Sequence, residues 1–339
     1  MKSEVEAHFL DQARSCRGLG SPFTADLLTR LPGALPDGAA FAERLRAWKG
    51  DPLADRVALR AAGALHALAR SGRAPALAEA YAAGETPSPA LLAEAIRAGD
   101  AFLAPMLDLP PQTNEPARSG ALIGGLLIAA AETGMEIELI EIGASAGLNL
   151  IPEFYAYEFG PAGRRAGDGP RIDCEWRGNA PDPAAPLRIV ERAGVDLAPI
   201  DPAARPSPLI AYLWPDQHAR IARAEAALAA LAATPWRVEP GDAAAWLPGR
   251  LAAPQPEGRL RLLMHSIMWD YMPAATRAAI DAAIEAAGAR ATEARPLARL
   301  SMEPDGERGS AALDLTLWPG GARRRIGRCC FHGSWAAWA

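Results

Sequence analysis

The sequence has few cysteines and no long apolar run, and these absences exclude several protein classes. None of the four cysteines forms a C-x-x-C pair, and the adjacent Cys329 and Cys330 are a poor arrangement for zinc. No window reaches the roughly 18 apolar residues of a membrane span. The segment "MKSEVEAHFLDQ" carries acids where a signal peptide needs an apolar core. We therefore predict a reduced, cytoplasmic protein without a structural metal or a membrane partner.

Positive charge is not in excess either. The 339 residues include 35 Lys and Arg against 40 Asp and Glu, which gives a net charge of -5 and no general attraction to nucleic acid. The basic run at 323–325 is short and typical of a solvated hairpin edge. We expect a small-molecule substrate and no nucleic-acid partner, and the sequence leaves the oligomeric state open.

Strand patterns are missing from the first third of the chain. Residues 1–115 show apolar positions at spacings of three and four, which predict an N-terminal helical region. Residues 116–339 alternate between strand and helix patterns. This predicts an α/β fold with a doubly wound, mostly parallel sheet and an antiparallel C-terminal hairpin. A Pro- and Gly-rich stretch at about 155–187 interrupts this second domain and looks like an insertion.

The stretch "ELIEIGASAGLNL", residues 138–150, joins a buried strand to a glycine-rich turn. Glu141 lies near the strand end between two isoleucines, where a buried carboxylate needs a partner. The small turn residues let the backbone approach a ligand, and a helix N-terminus after the turn would offer free N–H groups. The predicted ligand-binding residues of this stretch are Glu141, Gly143, Ala144, Ser145, Gly147 and Asn149.

Ligands of doubly wound sheets bind beyond the carboxyl ends of the strands, so polar residues at those ends are further candidates. Asp196 ends the second candidate strand and suits the two hydroxyls of a ribose, and Asp242 could accept from an adenine amino group. His265 and Tyr271, in "HSIMWDY", follow the fourth strand, and His332 follows the last one. Each of these three could act as a general base.

The order of these segments resembles that of class I S-adenosylmethionine-dependent methyltransferases over about residues 120–332. "IEIGASAG" looks like their first motif, "AGVDLAP" is similar to their ribose-binding strand, and "VEPGDAAAWLP" is similar to the segment beside the adenine. The terminal hairpin resembles their reversed last strand. The resemblance implies a Rossmann-like fold with S-adenosylmethionine as cofactor.

More narrowly, the whole chain resembles a bacterial family catalogued as a domain of unknown function. The segments that carry this resemblance are "SPFTADLL", "QTNEPARSGAL", "EIGASAGLNL", "LWPDQHARIARAEAAL", "HSIMWDYMP" and "HGSWAAW". It implies the same methyltransferase-type fold and supplies no substrate. "HSIMWDY" stands where methyltransferases acting on nucleic-acid amino groups carry an N-P-P-Y type segment, which argues against a DNA substrate.

One spacing departs from the pattern. About 49 residues separate Gly147 from Asp196, whereas roughly 20 residues commonly separate the glycine-rich turn from the ribose-binding acid in Rossmann-like domains. The insertion has to absorb the difference, and Glu158 stays as the alternative ribose acid.

Two polar segments allow a structural and a functional interpretation. "QTNEPARSGAL" is either a helix start capped by Thr113 or Asn114, or it brings Asn114, Glu115 and Arg118 over the glycine turn. In the second case Arg118 could bind the carboxylate of the methionine moiety. "WPDQ" is either another helix start capped by Asp216 or part of a ligand wall.

The function that the resemblance implies is S-adenosylmethionine-dependent methyl transfer to an unknown small molecule. The same turn also spells G-x-S-x-G, the nucleophile elbow of α/β-hydrolases. A serine hydrolase would use Ser145 with His332 and an acid such as Asp270 or Glu303. Neither the upstream strands nor the oxyanion loop of a hydrolase is evident. A non-catalytic ligand-binding protein is the third possibility.

Overall fold

The computed structural model describes residues 3–339, which form two compact units. The first unit contains the chain up to residue 113 together with residues 203–225. The second contains residues 114–202 and 226–339. The boundary predicted at 115/116 did not anticipate that residues 203–225 belong to the helical unit. No helix within the described range is long and apolar enough to cross a membrane.

The α-helices dominate the chain before residue 134. The helix ends coincide with Pro and Gly residues in the sequence. Pro occupies the first turn of several helices, and Gly134, with φ 66°, ends the seventh. The α-helices are α1 (Ser3–Gly18), α2 (Pro22–Ala34), α3 (Ala40–Arg46), α4 (Val57–Arg70), α5 (Pro75–Ala82), α6 (Pro89–Met106), α7 (Ser119–Thr133), α8 (Pro208–Ala211), α9 (His218–Ala232), α10 (Ala243–Ala252) and α11 (Ala274–Gly288).

The first unit is helical, as the sequence predicted, and packs its apolar faces into one core that includes Phe9, Leu28, Phe41 and Leu65. The segment 203–225 contributes a helix cap to this unit. Asp216 of "WPDQ" accepts a hydrogen bond from the Ser21 hydroxyl at 2.6 Å and one from the backbone N–H of Phe23 at 3.1 Å. Asp216 therefore stabilises the start of α2.

Strands form a large sheet and a small one, both in the second unit. The first strand reads "EIELIEI" and is buried on both faces, as expected for a central strand of a parallel sheet. The strands are β1 (Glu136–Ile142), β2 (Ala156–Glu158), β3 (Arg164–Arg165), β4 (Arg171–Asp173), β5 (Glu175–Gly178), β6 (Ile189–Asp196), β7 (Glu239–Pro240), β8 (Arg259–Ser266), β9 (Leu297–Glu303), β10 (Ala311–Trp318), β11 (Ala322–Cys329) and β12 (Trp335–Trp338).

The large sheet has the order β5-β12-β11-β10-β9-β8-β1-β6-β7. Its strands β7, β6, β1, β8 and β9 are mutually parallel. Numbered by their appearance in the chain, these five run 3-2-1-4-5, so the order reverses between β1 and β8. This confirms an α/β fold with a mostly parallel sheet, and it places the topological switch point, where such sheets bind ligands, beside β1.

Helices cover both faces of this sheet. On one face, α10 and α11 pack on Ile140 and Ile142 of β1 and Leu263 of β8. On the other face, α7 packs on β9, β10 and β12. Because side chains alternate along a strand, Glu141 points to the α7 face, whereas its two isoleucine neighbours point to the α10 and α11 face.

The antiparallel end of the sheet is longer than the predicted hairpin. After the turn that joins β10 and β11, the chain makes a further antiparallel strand, β12, from "WAAW". Part of the predicted insertion also joins this sheet, because β5 pairs with β12, while β2, β3 and β4 form the small sheet. The sequence did not predict β12, a four-residue strand that pairs with β11 and β5 and whose Trp338 packs against α7.

A glycine on α7 makes that packing possible. A Cβ atom on Gly124 would lie 2.0 Å from the Trp338 ring. We expect Gly124→Ala to destabilise the protein by about 1–3 kcal/mol, the usual penalty for overpacking. Gly249, inside α10, is the matched control because no atom lies within 4 Å of its Cβ position. Gly249→Ala should stabilise by up to about 1 kcal/mol through helix propensity. Urea unfolding of both variants checks the pair, and equal effects would contradict the packing argument.

Candidate functional site

The glycine-rich turn follows β1 at the switch point. Three of its residues have left-handed backbone angles, with φ 67° at Gly143, 53° at Ser145 and 85° at Gly147. A Cβ atom on Gly143 would lie 2.7 Å from the Met268 side chain, and one on Gly147 would lie 2.7 Å from the Trp236 ring. Backbone conformation and neighbouring side chains therefore both require glycine at these positions, whatever the turn binds.

The helix expected after the turn is absent. A three-residue 3-10 helix, Leu148–Leu150, takes its place, and the chain then runs to the small sheet. The physical reason lies in Pro152, which disfavours the helical conformation for Ile151, whose φ and ψ are -120° and 48°. The prediction of a helix N-terminus at the turn is therefore wrong. A nucleophile elbow also needs a strand-to-helix turn, so Ser145 lacks that context.

Two side chains from other parts of the second unit hold the turn in place. The backbone N–H of Ser145 donates to Asp196 Oδ2 at 2.8 Å, and that of Leu148 donates to Asn114 Oδ1 at 2.8 Å. The other oxygen of Asp196 accepts from the Ala198 N–H at 2.9 Å. Asp196, one of the two predicted ribose-binding acids, thus lies at the turn.

Glu158, the other alternative, lies elsewhere. It is part of β2 in the small sheet, and its carboxylate forms an ion pair with Arg164 at 2.9 Å.

Glu141 and Asn149 are buried polar side chains with unsatisfied hydrogen-bonding atoms. They are 2% and 1% exposed. Within residues 3–339, Glu141 Oε2 and both amide atoms of Asn149 have no hydrogen-bond partner. Such groups are uncommon in folded proteins and costly to bury, which marks them as candidates for contact with a ligand.

Electrostatics at Glu141 favour its protonated form. Burial raises the pKa of Glu141 well above its ordinary value, the positive charge of Arg118 opposes this, and the negative charge of Asp196 adds to it. A cation that entered the site would favour the carboxylate instead.

The segment "NEPAR" is buried beside the turn. Its 3-10 helix, Pro116–Arg118, is capped by Glu115, whose carboxylate accepts the Ala117 N–H at 3.0 Å, and not by Thr113 or Asn114. Arg118 Nε donates to the Phe331 carbonyl at 3.0 Å, and Nη1 approaches the Ser266 carbonyl at 3.5 Å. The structure thus brings Asn114 to the turn and Arg118 into the field of Glu141.

His265 is not part of this cluster. It points to the same face of the sheet as Leu263, opposite to Glu141, because side chains alternate along β8. Its ring is 1% exposed, with Nδ1 2.7 Å from Glu303 Oε1 and with Nε2 3.1 Å from Arg299 Nε, which donates to it.

This arrangement fixes the role of the ring. Burial lowers the pKa of His265, so the neutral ring donates from Nδ1 and accepts at Nε2. No lone pair remains for a substrate. Both ring nitrogens of His265, the predicted base, are thus engaged, one by Glu303 and one by Arg299.

The same network holds the turn after β8. Glu303 also accepts the backbone N–H groups of Met268 at 3.1 Å and Trp269 at 3.2 Å. The indole of Trp269 stacks on His265 with centroids 4.8 Å apart, and Arg299 lies over it at 4.6 Å. Ile267, just before, has φ 51°, an unfavourable angle for a β-branched residue. Glu303 thereby fixes Met268 over Gly143.

The remaining predicted residues lie at the edge of the sheet. Asp242 is exposed and caps α10, accepting the N–H groups of Ala244 and Ala245 at 2.8 and 3.1 Å. Tyr271 is 66% exposed in a 3-10 helix after β8. His332 is exposed in the turn between β11 and β12.

Sequence reasoning missed four residues of the site region: Trp236, Met268, Arg299 and, except as a hydrolase acid, Glu303. The charged pair in the otherwise apolar "LARLSME" was the available signal for the last two. No group of three or more His, Cys, Asp or Glu within residues 3–339 is arranged to hold a metal ion.

Comparison with known proteins identifies a family. Residues 6–338 match the family described as "Uncharacterized protein conserved in bacteria (DUF2332)". Searches of curated proteins and of solved structures give no match.

Proposed function

The chain belongs to the bacterial family DUF2332, and we propose that it is an S-adenosylmethionine-dependent methyltransferase that acts on a small molecule. The observation that carries this proposal is Glu141, a buried carboxyl group with an unpartnered oxygen at the switch point of a 3-2-1-4-5 sheet. Ligands of such sheets bind at this point. The unsatisfied oxygen needs a donor, and a cationic donor would offset the burial that otherwise keeps this carboxyl group protonated.

The methionine moiety of the cofactor fits the polar atoms of the cluster. Its α-ammonium group would donate to Glu141, and its α-carboxylate would accept from Arg118 and the Asn149 amide. Asp196 would take the ribose hydroxyls, since each of its oxygens has a second lone pair beyond the backbone N–H it already accepts. Asp242 would accept from the adenine amino group. When bound, the cofactor supplies an electrophilic methyl group on a sulfonium.

The chain's own residues would orient the acceptor and remove its proton. Methyl transfer depends mainly on placing the nucleophile in line with the sulfonium, with a base where the nucleophile is protonated. Tyr271 and His332 are exposed at the carboxyl edge of the sheet and serve as the proposed bases, because the lone pair of His265 is already used.

Calorimetric titration with S-adenosylmethionine and S-adenosylhomocysteine tests the cofactor site. We expect saturable binding, weakened about tenfold or more in Glu141→Gln, because the amide cannot supply the negative charge that pairs with the α-ammonium group. Glu136→Gln is the matched control, since Glu136 begins the same strand and forms partly exposed ion pairs with Arg188 and Arg259. Its affinity should equal that of the wild type. No binding at millimolar cofactor by the folded wild type would overturn the proposal.

Ester hydrolysis by Ser145 is the second candidate, favoured by the left-handed φ of 53° at a serine in G-x-S-x-G. It predicts turnover of simple esters that is lost in Ser145→Ala. The methyltransferase proposal predicts that Ser145→Ala still binds the cofactor. A protein that neither binds the cofactor nor cleaves esters would be a binding protein for another ligand.

A further inference from the structure

A cavity of about 480 Å³ lies between α10 and α11, over the amino-terminal ends of β8 and β9. Arg261 of β8 and Leu297 of β9 line it, and these two residues are paired in the sheet. The candidate site lies at the opposite edge of the sheet, where Glu141 and Ser266 are close to the carboxyl ends of β1 and β8. The cavity is therefore separate from that site, and its volume is within the range of small-molecule sites.

Small side chains leave this space open between the two helices. Six of the lining residues are alanines: Ala252, Ala253, Ala283, Ala286, Ala287 and Ala291. Together with Leu251 and Leu297, their methyl groups give the cavity apolar walls. An apolar group of a ligand would leave water on entering, which favours binding.

The charged groups that line the cavity are all cationic. Among residues 3–339, three arginines and no acidic residue line it: Arg261, Arg290 and Arg295. Arg261 pairs with Glu138 at 2.8 Å, and Arg295 pairs with Glu257 at 2.9 Å. Arg290 is exposed, its side chain donates to a carbonyl of its own helix, and it forms no ion pair with any described residue. The cavity thus has one positive charge that no neighbouring carboxylate offsets.

Arg261 supplies a buried donor on the cavity wall. Its side chain is 3% exposed, and Nε donates to Glu138 Oε2 at 2.8 Å. Nη1 donates to the carbonyls of Leu251 and Ala253 at 3.0 and 3.1 Å, and Nη2 donates to that of Pro254 at 3.4 Å. A guanidinium group has five N–H donors, so these four bonds leave one Nη2–H without an acceptor among the described residues. A buried donor of this kind favours an acceptor from a ligand.

We propose that this cavity is a second ligand site, which binds a small organic monocarboxylate with an apolar body. The carboxylate accepts hydrogen bonds from Arg290 and from the remaining Nη2–H of Arg261, and the apolar body lies against the alanine methyl groups. Charge-assisted hydrogen bonds from arginine to a carboxylate are stronger than neutral ones, so the acid group provides specificity. This binding does not depend on what the candidate site at the switch point binds.

Calorimetry and ligand-observed NMR with sodium octanoate test the proposal on the intact protein. We expect saturable binding with a dissociation constant of about 1 mM or tighter, a reasonable affinity for a ligand of about ten non-hydrogen atoms. 1-Octanol has the same apolar body without the charge and should bind about tenfold more weakly. Octylammonium, which has the opposite charge, should not displace octanoate. No saturable octanoate binding by the folded protein, or equal affinity for 1-octanol, would overturn the proposal.

Two pairs of variants locate the bound octanoate. Arg290→Gln should weaken binding about tenfold, whereas Arg308→Gln, which changes an exposed arginine in the loop between β9 and β10, should bind like the wild type. Ala283→Leu places a larger side chain on the cavity wall and should abolish binding, whereas Ala282→Leu, at an exposed position of the same helix, should not. Because Arg290 is exposed, Arg290→Gln should keep its fold, and an unchanged octanoate affinity in this variant would overturn the proposal.

Discussion

Glu141→Gln will become more stable than the wild type as the pH rises above about 4.5, the ordinary value for a glutamate. Burial raises the pKa of Glu141 in the folded protein, so the folded state binds this proton more tightly than the unfolded state does. The stabilisation from that proton is complete below the unfolded pKa and is lost as the pH rises through the folded pKa. Glutamine has no proton to lose. Between the two pKa values, the difference in the free energy of unfolding between the variant and the wild type should grow by about 1.4 kcal/mol per pH unit.

Urea unfolding of both proteins between pH 5 and pH 8 measures this difference. Titrating groups that lie away from residue 141 contribute equally to the two proteins, so their contributions cancel in the comparison. A pH-independent difference for Glu141→Gln would mean that the carboxyl group is ionised at little cost, and the argument for a buried, protonated acid would be lost.

Glu303→Ala will destabilise the second unit by about 3–5 kcal/mol, because one buried carboxylate satisfies three donors. The His265 ring at 2.7 Å and the backbone N–H groups of Met268 and Trp269 lose their acceptor together. The left-handed φ of 51° at Ile267 adds strain to the turn that these hydrogen bonds hold.

Asp281→Ala is the control for this network. Asp281 lies at the outer end of this network, where it pairs with Arg299 at 2.7 Å. The Asp281 side chain is 48% exposed. An exposed pair contributes at most about 1 kcal/mol, so the loss should be small. Equilibrium unfolding in urea compares the two variants at one pH. A loss below about 1 kcal/mol for Glu303→Ala would show that the turn does not depend on Glu303.

Local patterns in the sequence determined a large part of this protein. The three-and-four spacing of apolar residues predicted the N-terminal helices, and the alternation of strand and helix patterns predicted the mostly parallel sheet. The run "EIELIEI" before a glycine turn was sufficient to predict that Glu141 is buried at a strand end. These features depend on neighbours within a few residues, and the sequence displays those neighbours directly.

Tertiary structure decided which of the candidate residues meet. His265 and Glu141 both follow the rule for strand ends, yet they point to opposite faces, because pairing sets Glu141 opposite Met264. Asp196 reaches Ser145 from 51 positions along the chain, and Glu303 reaches His265 from 38. A side-chain period of two makes the face depend on the register, and no local pattern specifies the register between distant strands. The sequence by itself therefore determined the elements and their polar ends, and only the paired sheet decided which of those ends form one site.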